Sequence, residues 1–282
     1  MAAVPASPKS GRRVYFQAGL RSRAAFWTVF AGVGGSVLLA AAWHDARMAL
    51  AGPLVTVVLV LVVAYNHASK RAEREFFLVL APALGMTYVG ELSLWGITPL
   101  LAAGDRRRFE HAMTRPGCQL GLYTYEVRRR SLSDWDKTEI ERTDHWDPYR
   151  FTVCVMDLAS EMPDFPGVYI RRKKGLLSGD DWLRDPRFKR YEVESIAFRE
   201  RYDILCAPDQ EELALRQLLS PALIDWMANH PLQPGFELRG GVLVAWLPGH
   251  VKEAGKLEFF MQAAEHLSSA AAREVAETSP FA

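Results

Sequence analysis

The chain has 282 residues, enough for one substantial core or two small ones, and its 34 Lys plus Arg balance 33 Asp plus Glu. That balance excludes the global basic field of a nucleic-acid binder. The three cysteines, Cys118, Cys154 and Cys206, are far apart and form no C-x-x-C pair. This excludes a disulfide framework or a zinc site of ordinary spacing, and free thiols suit a reducing compartment.

Residues 1–23 read as a basic tail, with Lys9, Arg12, Arg13, Arg21 and Arg23. Ala24 to Trp43 is then a run of 20 residues without a charge, and Met48 to Asn66 a second of 19, with only His44 to Arg47 between them. At 1.5 Å per residue each run crosses a hydrocarbon core of about 30 Å. Two spans joined so tightly predict an antiparallel transmembrane hairpin over residues 24–66. The first run starts too late and is too long for a cleaved signal peptide.

Basic residues precede the first run and follow the second at Lys70, Arg71 and Arg74, whereas the joint carries only Arg47 beside Asp45. The positive-inside bias then places both termini in the cytoplasm and the chain in the cell membrane as a two-span protein. Ala31, Gly32, Gly34, Gly35 and Ser36 would let the two helix backbones approach closely. Trp27, Trp43 and Tyr65 suit the interfacial belt, and Pro53 suits the first turns of the second helix. Neither run holds an ionisable residue for an ion or proton path.

Residues 67–103 form a connector. The second helix is expected to continue to about Leu84 and give way to an extended segment, because Pro82, Gly85, Gly90, Gly96 and Pro99 interrupt the apolar stretch. Re-entry of residues 76–103 into the membrane is the alternative, opposed by Glu91 at its middle.

Residues 104–276 read as a cytosolic α+β domain, an antiparallel sheet packed by helices, followed by a tail at 277–282. Strands are predicted at "CQLGLYTYEVR" from Cys118, "FTVCVMDL" from Phe151, "GVYIRR" from Gly167, "YEVES" from Tyr191 and "RYDILC" from Arg201. Apolar residues on both faces of "FTVCVMDL" mark a central strand, and Arg128 to Arg150 reads as a long hairpin loop. A helix is predicted from an N-cap at Asp209 with Glu212 at N3, burying Leu213, Leu215, Leu218 and Leu219. Ser220 as N-cap and Pro221 at N1 start the next helix at once. "FELRGGVLVAWL" predicts a hairpin turning at Gly240 and Gly241, and a last helix from about Lys252 places Leu257, Phe260, Met261, Ala264, Leu267 and Ala271 on one face.

No phosphate-binding glycine loop, dinucleotide fingerprint, nucleophile elbow or H-E-x-x-H occurs. Asp144, His145 and Asp147 in "TDHWD" have ligand chemistry but the setting of a polar loop. His111 and Cys118 could form a nucleophile pair only if the fold assembles it. His230 and His250 look like helix-end and turn residues. Among the basic clusters, Arg106 to Arg108, Arg128 to Arg130 and Arg171, Arg172, Lys173 and Lys174, the last is the candidate contact for anionic lipid.

"LLAAGDRRRFEHAMTRPGCQLGLYTYEVR", "FTVCVMDL", "YEVESIAFRERYDILCAPDQEELALRQLLSPALIDWM" and "GFELRGGVLVAW" together resemble, in order and spacing, an uncharacterised bacterial family common in actinobacteria. The resemblance covers roughly residues 70 to 270, and its most specific piece is Glu194, Ser195, Phe198 and Tyr202. It implies two N-terminal transmembrane helices and a cytosolic α+β domain, without a reaction, cofactor or catalytic residue. The expectation is a membrane-anchored binding or scaffolding protein, with a protein partner unspecified and no cofactor, metal or nucleic acid. The alternative is a membrane-proximal enzyme with a site that only the fold assembles.

Overall fold

A computed structural model describes residues 7–20, 46–94, 96–129, 145–160, 165, 167–173, 188–210 and 212–278. The chain divides into two compact units, Met1–Ala83 and Leu84–Ala282.

In the first unit the basic tail carries a helix, α1 (Lys9–Leu20), which packs against α2 (Ala46–Ala83). Tyr65 is the centre of that contact. Its ring lies edge-on to Phe16 at 6.1 Å, and its hydroxyl accepts from Arg12 Nη1 at 2.5 Å. The Arg71 guanidinium in turn lies 5.1 Å from the Tyr15 ring. Each such cation–π contact at an exposed site contributes about 0.5–1 kcal/mol.

The second apolar run is part of α2, which continues to Ala83 as the sequence predicts; Gly85, at φ +67, takes the left-handed conformation that ends it. Pro53 therefore lies about two turns inside the helix rather than at its start. Among the described residues no helix is long and apolar enough to cross a membrane. The transmembrane hairpin is thus not found in the described structure. Ala24 to Trp43, with its small residues and both tryptophans, lies outside the described residues. The run from Met48 is the apolar half of a longer helix whose other half carries Lys70, Arg71, Glu73, Arg74 and Glu75.

The second unit is built on a nine-stranded sheet of order β1-β2-β3-β4-β9-β8-β5-β7-β6. The strands are β1 (Thr87–Leu92), β2 (Arg106–Arg115), β3 (Cys118–Arg129), β4 (His145–Asp157), β5 (Val168–Arg172), β6 (Lys189–Tyr191), β7 (Tyr202–Cys206), β8 (Gly235–Arg239) and β9 (Val242–Pro248). Every neighbouring pair is antiparallel. Residues 84–103 accordingly form a turn, β1 and a short helix, α3 (Pro99–Ala102), rather than a re-entrant span.

Period-two alternation divides the side chains between two faces. On the first face Phe109, Tyr123, Tyr125, Phe151, Val153, Val244 and Trp246 form one core with Leu100 and Leu101 of α3. On the second, Leu120, Leu122, Cys154, Leu243 and Ala245 are buried on the side where α7 (Ala254–Thr278) packs against β4. Layers on both sides explain why β4 is apolar on both faces. Full burial of each large side chain contributes about 1.5–3 kcal/mol.

The remaining helices are α4 (Ile196–Arg201), α5 (Glu212–Leu218) and α6 (Pro221–Asn229). "YEVES" is mostly not a strand: only Tyr191 belongs to β6, and Ser195 caps α4 by accepting from Phe198 N at 3.4 Å. Likewise α5 starts at Glu212 rather than at an Asp209 cap, because Ala207 to Gln210 forms a turn closed by Gln210 N to Ala207 O at 3.1 Å. Leu213 is 65% exposed, so the buried stripe is Leu215, Leu218 and Leu219. The corner before α6 is as the sequence predicts, with Ser220 Oγ accepting from Leu223 N at 3.4 Å and Pro221 in the first turn.

That corner has a measurable signature. Ser220→Ala should cost about 1 kcal/mol of unfolding free energy. Pro221→Ala should cost only about 0.4–1 kcal/mol, through added freedom of the unfolded chain. Urea unfolding checks both; a loss above about 3 kcal/mol for either would show that the corner does more than start a helix.

Candidate functional site

A cleft of about 430 Å³ opens on the first face of the sheet, between the segment that follows β1 and the ends of β2, β3, β4 and β9. Its apolar wall is Leu92, Leu94, Ile97, Leu101, Val155 and Val242, and its polar residues include Thr114, Arg115, Gln119 and Asp157. The wall exists because β3, β4 and β9 place their odd-numbered and even-numbered residues in matched register, so Gln119 lies opposite Val155 and Asp157 opposite Val242.

A buried carboxylate holds the segment that closes the cleft. Glu237 of β8 is 1% exposed, and its Oε2 accepts from the backbone N–H of Leu100 at 3.0 Å. Arg107 Nη1 and the Tyr123 hydroxyl both donate to the Leu101 carbonyl at 3.1 Å. Both ends of this one-turn helix are thereby satisfied, which a buried helix terminus requires. Burial raises the Tyr123 phenol above the ordinary range and pushes Tyr169, opposite Glu237, up to about 12. Both phenols therefore stay neutral, and Tyr123 remains a donor. Within the cleft, Gln119 Oε1 is a buried acceptor without a hydrogen-bond partner.

Sulfur and charge meet at the rim. Cys118, first in β3, and Met156 of β4 both border the cleft. Cys118 Sγ lies 3.7 Å from Cys154 Sγ, which lies 3.9 Å from Met156 Sδ. The Cys154 thiol is raised well above its usual range by its hydrogen bond with Cys118 and by burial. Cys118 is lowered, first by that hydrogen bond and further by the Arg115 guanidinium. Arg115 is itself held by an ion pair with Glu265 of α7.

The residues singled out from sequence do not converge on this cleft as a catalytic set. His111 sits at a bulge in β2, with φ +52, and its Nδ1 lies 3.1 Å from the Tyr88 hydroxyl. Cys118 instead meets Cys154 and Arg115. His145 and Asp147 open β4 opposite Arg129 and Val127, while Asp144 lies outside the described residues. Among the described residues no group of three or more His, Cys, Asp or Glu side chains could hold a metal. His230 caps the end of α6, stacks on Phe259 at 4.9 Å and is lowered in pKa by burial. His250 Nε2 lies 3.1 Å from Thr124 Oγ1, tying the end of β9 to β3.

The basic cluster is split by the strand. Arg171 and Arg172 are successive residues of β5 and project to opposite faces. Arg171, Lys173 and Arg190 share Asp203 at 3.5, 3.8 and 3.8 Å. Lys174 lies outside the described residues. Sequence reasoning missed the cleft because its lining comes from five separate strands and loops; the one local signal was Leu92 and Leu94 alternating in a glycine-rich stretch.

No protein-family model matches the chain, and no curated protein matches it. Among solved structures, the mycobacterial trehalose monomycolate transport factor A is similar at a TM-score of 0.46 and 10% identity, over 71% of this chain and 94% of that one. The functional reading therefore rests on the chain's own residues.

Proposed function

We propose that the chain is a membrane-anchored binding protein whose α+β domain receives the apolar part of a ligand in the cleft beside α3. The observation that carries this reading is the cleft itself: an aliphatic wall faced by Thr114, Arg115, Gln119 and Asp157 joins an apolar surface to polar groups that can orient a small molecule. Support for the anchor comes from α2, where Val55, Val57, Val58, Leu59, Leu61, Val62 and Val63 are all exposed. These seven side chains within nine positions cover most of the helix surface, with Val60 buried, and water disfavours such a surface while lipid accepts it. With Ala24 to Trp43 as the partner span, both termini are cytoplasmic and the domain faces the inner leaflet. Contact of Arg171, Arg172, Lys173 and Lys174 with anionic lipid belongs to the same proposal, at about 1 kcal/mol per residue near the surface. The sharing of Asp203 reduces the free charge available for it.

Ile97 is the wall residue to change, because at 42% exposure its loss should cost little stability. A fluorescent acyl-chain probe titrated into the full chain should bind with 1:1 stoichiometry. Ile97→Asp should weaken that binding at least tenfold while urea unfolding shifts by no more than about 0.5 kcal/mol. Equal binding by both forms would remove the cleft as the site.

A further inference from the structure

We propose that Cys118, Cys154 and Met156 form a binding site for a soft monovalent metal ion, Cu(I), on the face of the sheet that α7 covers. The three sulfur atoms come from adjacent strands and share the second face of the sheet. Cys118 and Met156 are register partners, and Cys154 pairs with Leu120, two residues along. The separations are 3.7 Å from Cys118 Sγ to Cys154 Sγ and 3.9 Å from Cys154 Sγ to Met156 Sδ. Metal–sulfur bonds of about 2.3 Å would set the corners of a trigonal site about 4 Å apart. Both separations from Cys154 are close to that spacing.

The donor set selects the ion. Two thiolates and a thioether are soft ligands, which Cu(I) accepts in low coordination, whereas structural zinc takes four ligands and does not use methionine. The same register disfavours a disulfide. Cys118 and Cys154 are diagonal neighbours, whose Cα atoms stand about 7–8 Å apart, beyond the usual disulfide limit of about 6.8 Å. Both thiols are free.

The neighbouring charge and the burial fit as well. Metal binding releases both thiol protons to solvent and leaves one net negative charge on the Cu(I)–dithiolate unit. Arg115, held by Glu265, supplies the compensating cation beside Cys118. All three residues are buried, Cys154 fully at 0% exposure, which keeps water from the site. This inference is independent of the acyl-chain reading: the Ile97 variant tests one, and the sulfur variants test the other.

The test is anaerobic titration of the full chain with Cu(I) under ascorbate, in competition with bathocuproine disulfonate. One equivalent should be retained, with three sulfur neighbours at about 2.3 Å by X-ray absorption. Cys118→Ser and Cys154→Ser should each weaken retention at least 100-fold, and Met156→Leu at least tenfold. Cys206→Ser should change nothing, because that thiol lies on β7 against the Lys189 carbonyl. Should the buried serine variants fail to fold, Met156→Leu still decides, since exchange of Met for Leu in a core is tolerated. Absence of retained Cu(I), equal retention by Met156→Leu, or only two sulfur neighbours would overturn the site.

Discussion

Phe260→Ala should lower the unfolding free energy by about 3–5 kcal/mol, the cost of removing a fully buried phenyl ring and leaving its cavity. Phe260 is 0% exposed on α7, between Leu257, also 0%, and Ala264, also 0%. This helix packs against β4 and α5, so it covers the second face of the sheet where the sulfur cluster lies. Its loss cannot be absorbed by a loop. The expected observation is a lower urea midpoint with an unchanged denaturant slope. A loss under about 1 kcal/mol would mean that α7 does not cover the sheet as described.

Gly241→Val is the second large effect. Gly240 and Gly241 have φ of +53 and +71, the pair of left-handed residues that a two-residue hairpin turn demands. At Gly241 an added Cβ would stand 2.5 Å from Ala159 Cα and 2.9 Å from its nitrogen. Backbone cannot swing aside as a side-chain tip can. Left-handed strain of about 1–2 kcal/mol then adds to overpacking of about 1–3 kcal/mol. Gly240 is the control, with nothing within 4 Å of an added Cβ. Gly240→Asn creates the favoured Asn-Gly turn and should stay within about 0.5 kcal/mol of the parent. Unfolding curves of the two variants should therefore part widely. Similar curves would place the hairpin elsewhere than against Ala159.

These two predictions sit on elements that local pattern made legible. The β8–β9 hairpin is announced by Gly240 and Gly241 between alternating apolar residues. Helix α7 is announced by apolar residues at spacings of three and four. The Ser220–Pro221 corner is legible for the same reason: a cap and a fixed φ act within one turn, so no distant partner is needed. The α+β class, the antiparallel sheet and the central place of β4 also follow from pattern, since a strand covered on both sides must be apolar on both sides.

Other elements were hidden by conflicts between local signals. Strand β2 opens with Arg106, Arg107 and Arg108, and its alternation breaks at the His111 bulge, so its sequence lacks a strand's period. Helix α5 has a capping-box sequence at Asp209, yet the turn from Ala207 to Gln210 delays its start to Glu212. In the first unit the basic tail looked solvated, but Tyr65 gives Arg12 and Phe16 a surface on which α1 packs.

The sequence by itself determined the antiparallel α+β class, the ends of several elements and many of the buried apolar residues, because those depend on period, caps and turns within a few positions. Only the tertiary structure decided the functional geometry. Register between β3 and β4 brings the sulfurs of Cys118, Cys154 and Met156 together, and Glu237 reaches across the sheet to the Leu100 amide. The cleft depends on strands and loops separated by more than a hundred residues. Spacing along the chain carries no record of such distances, which are set when the sheet closes and its two faces are covered.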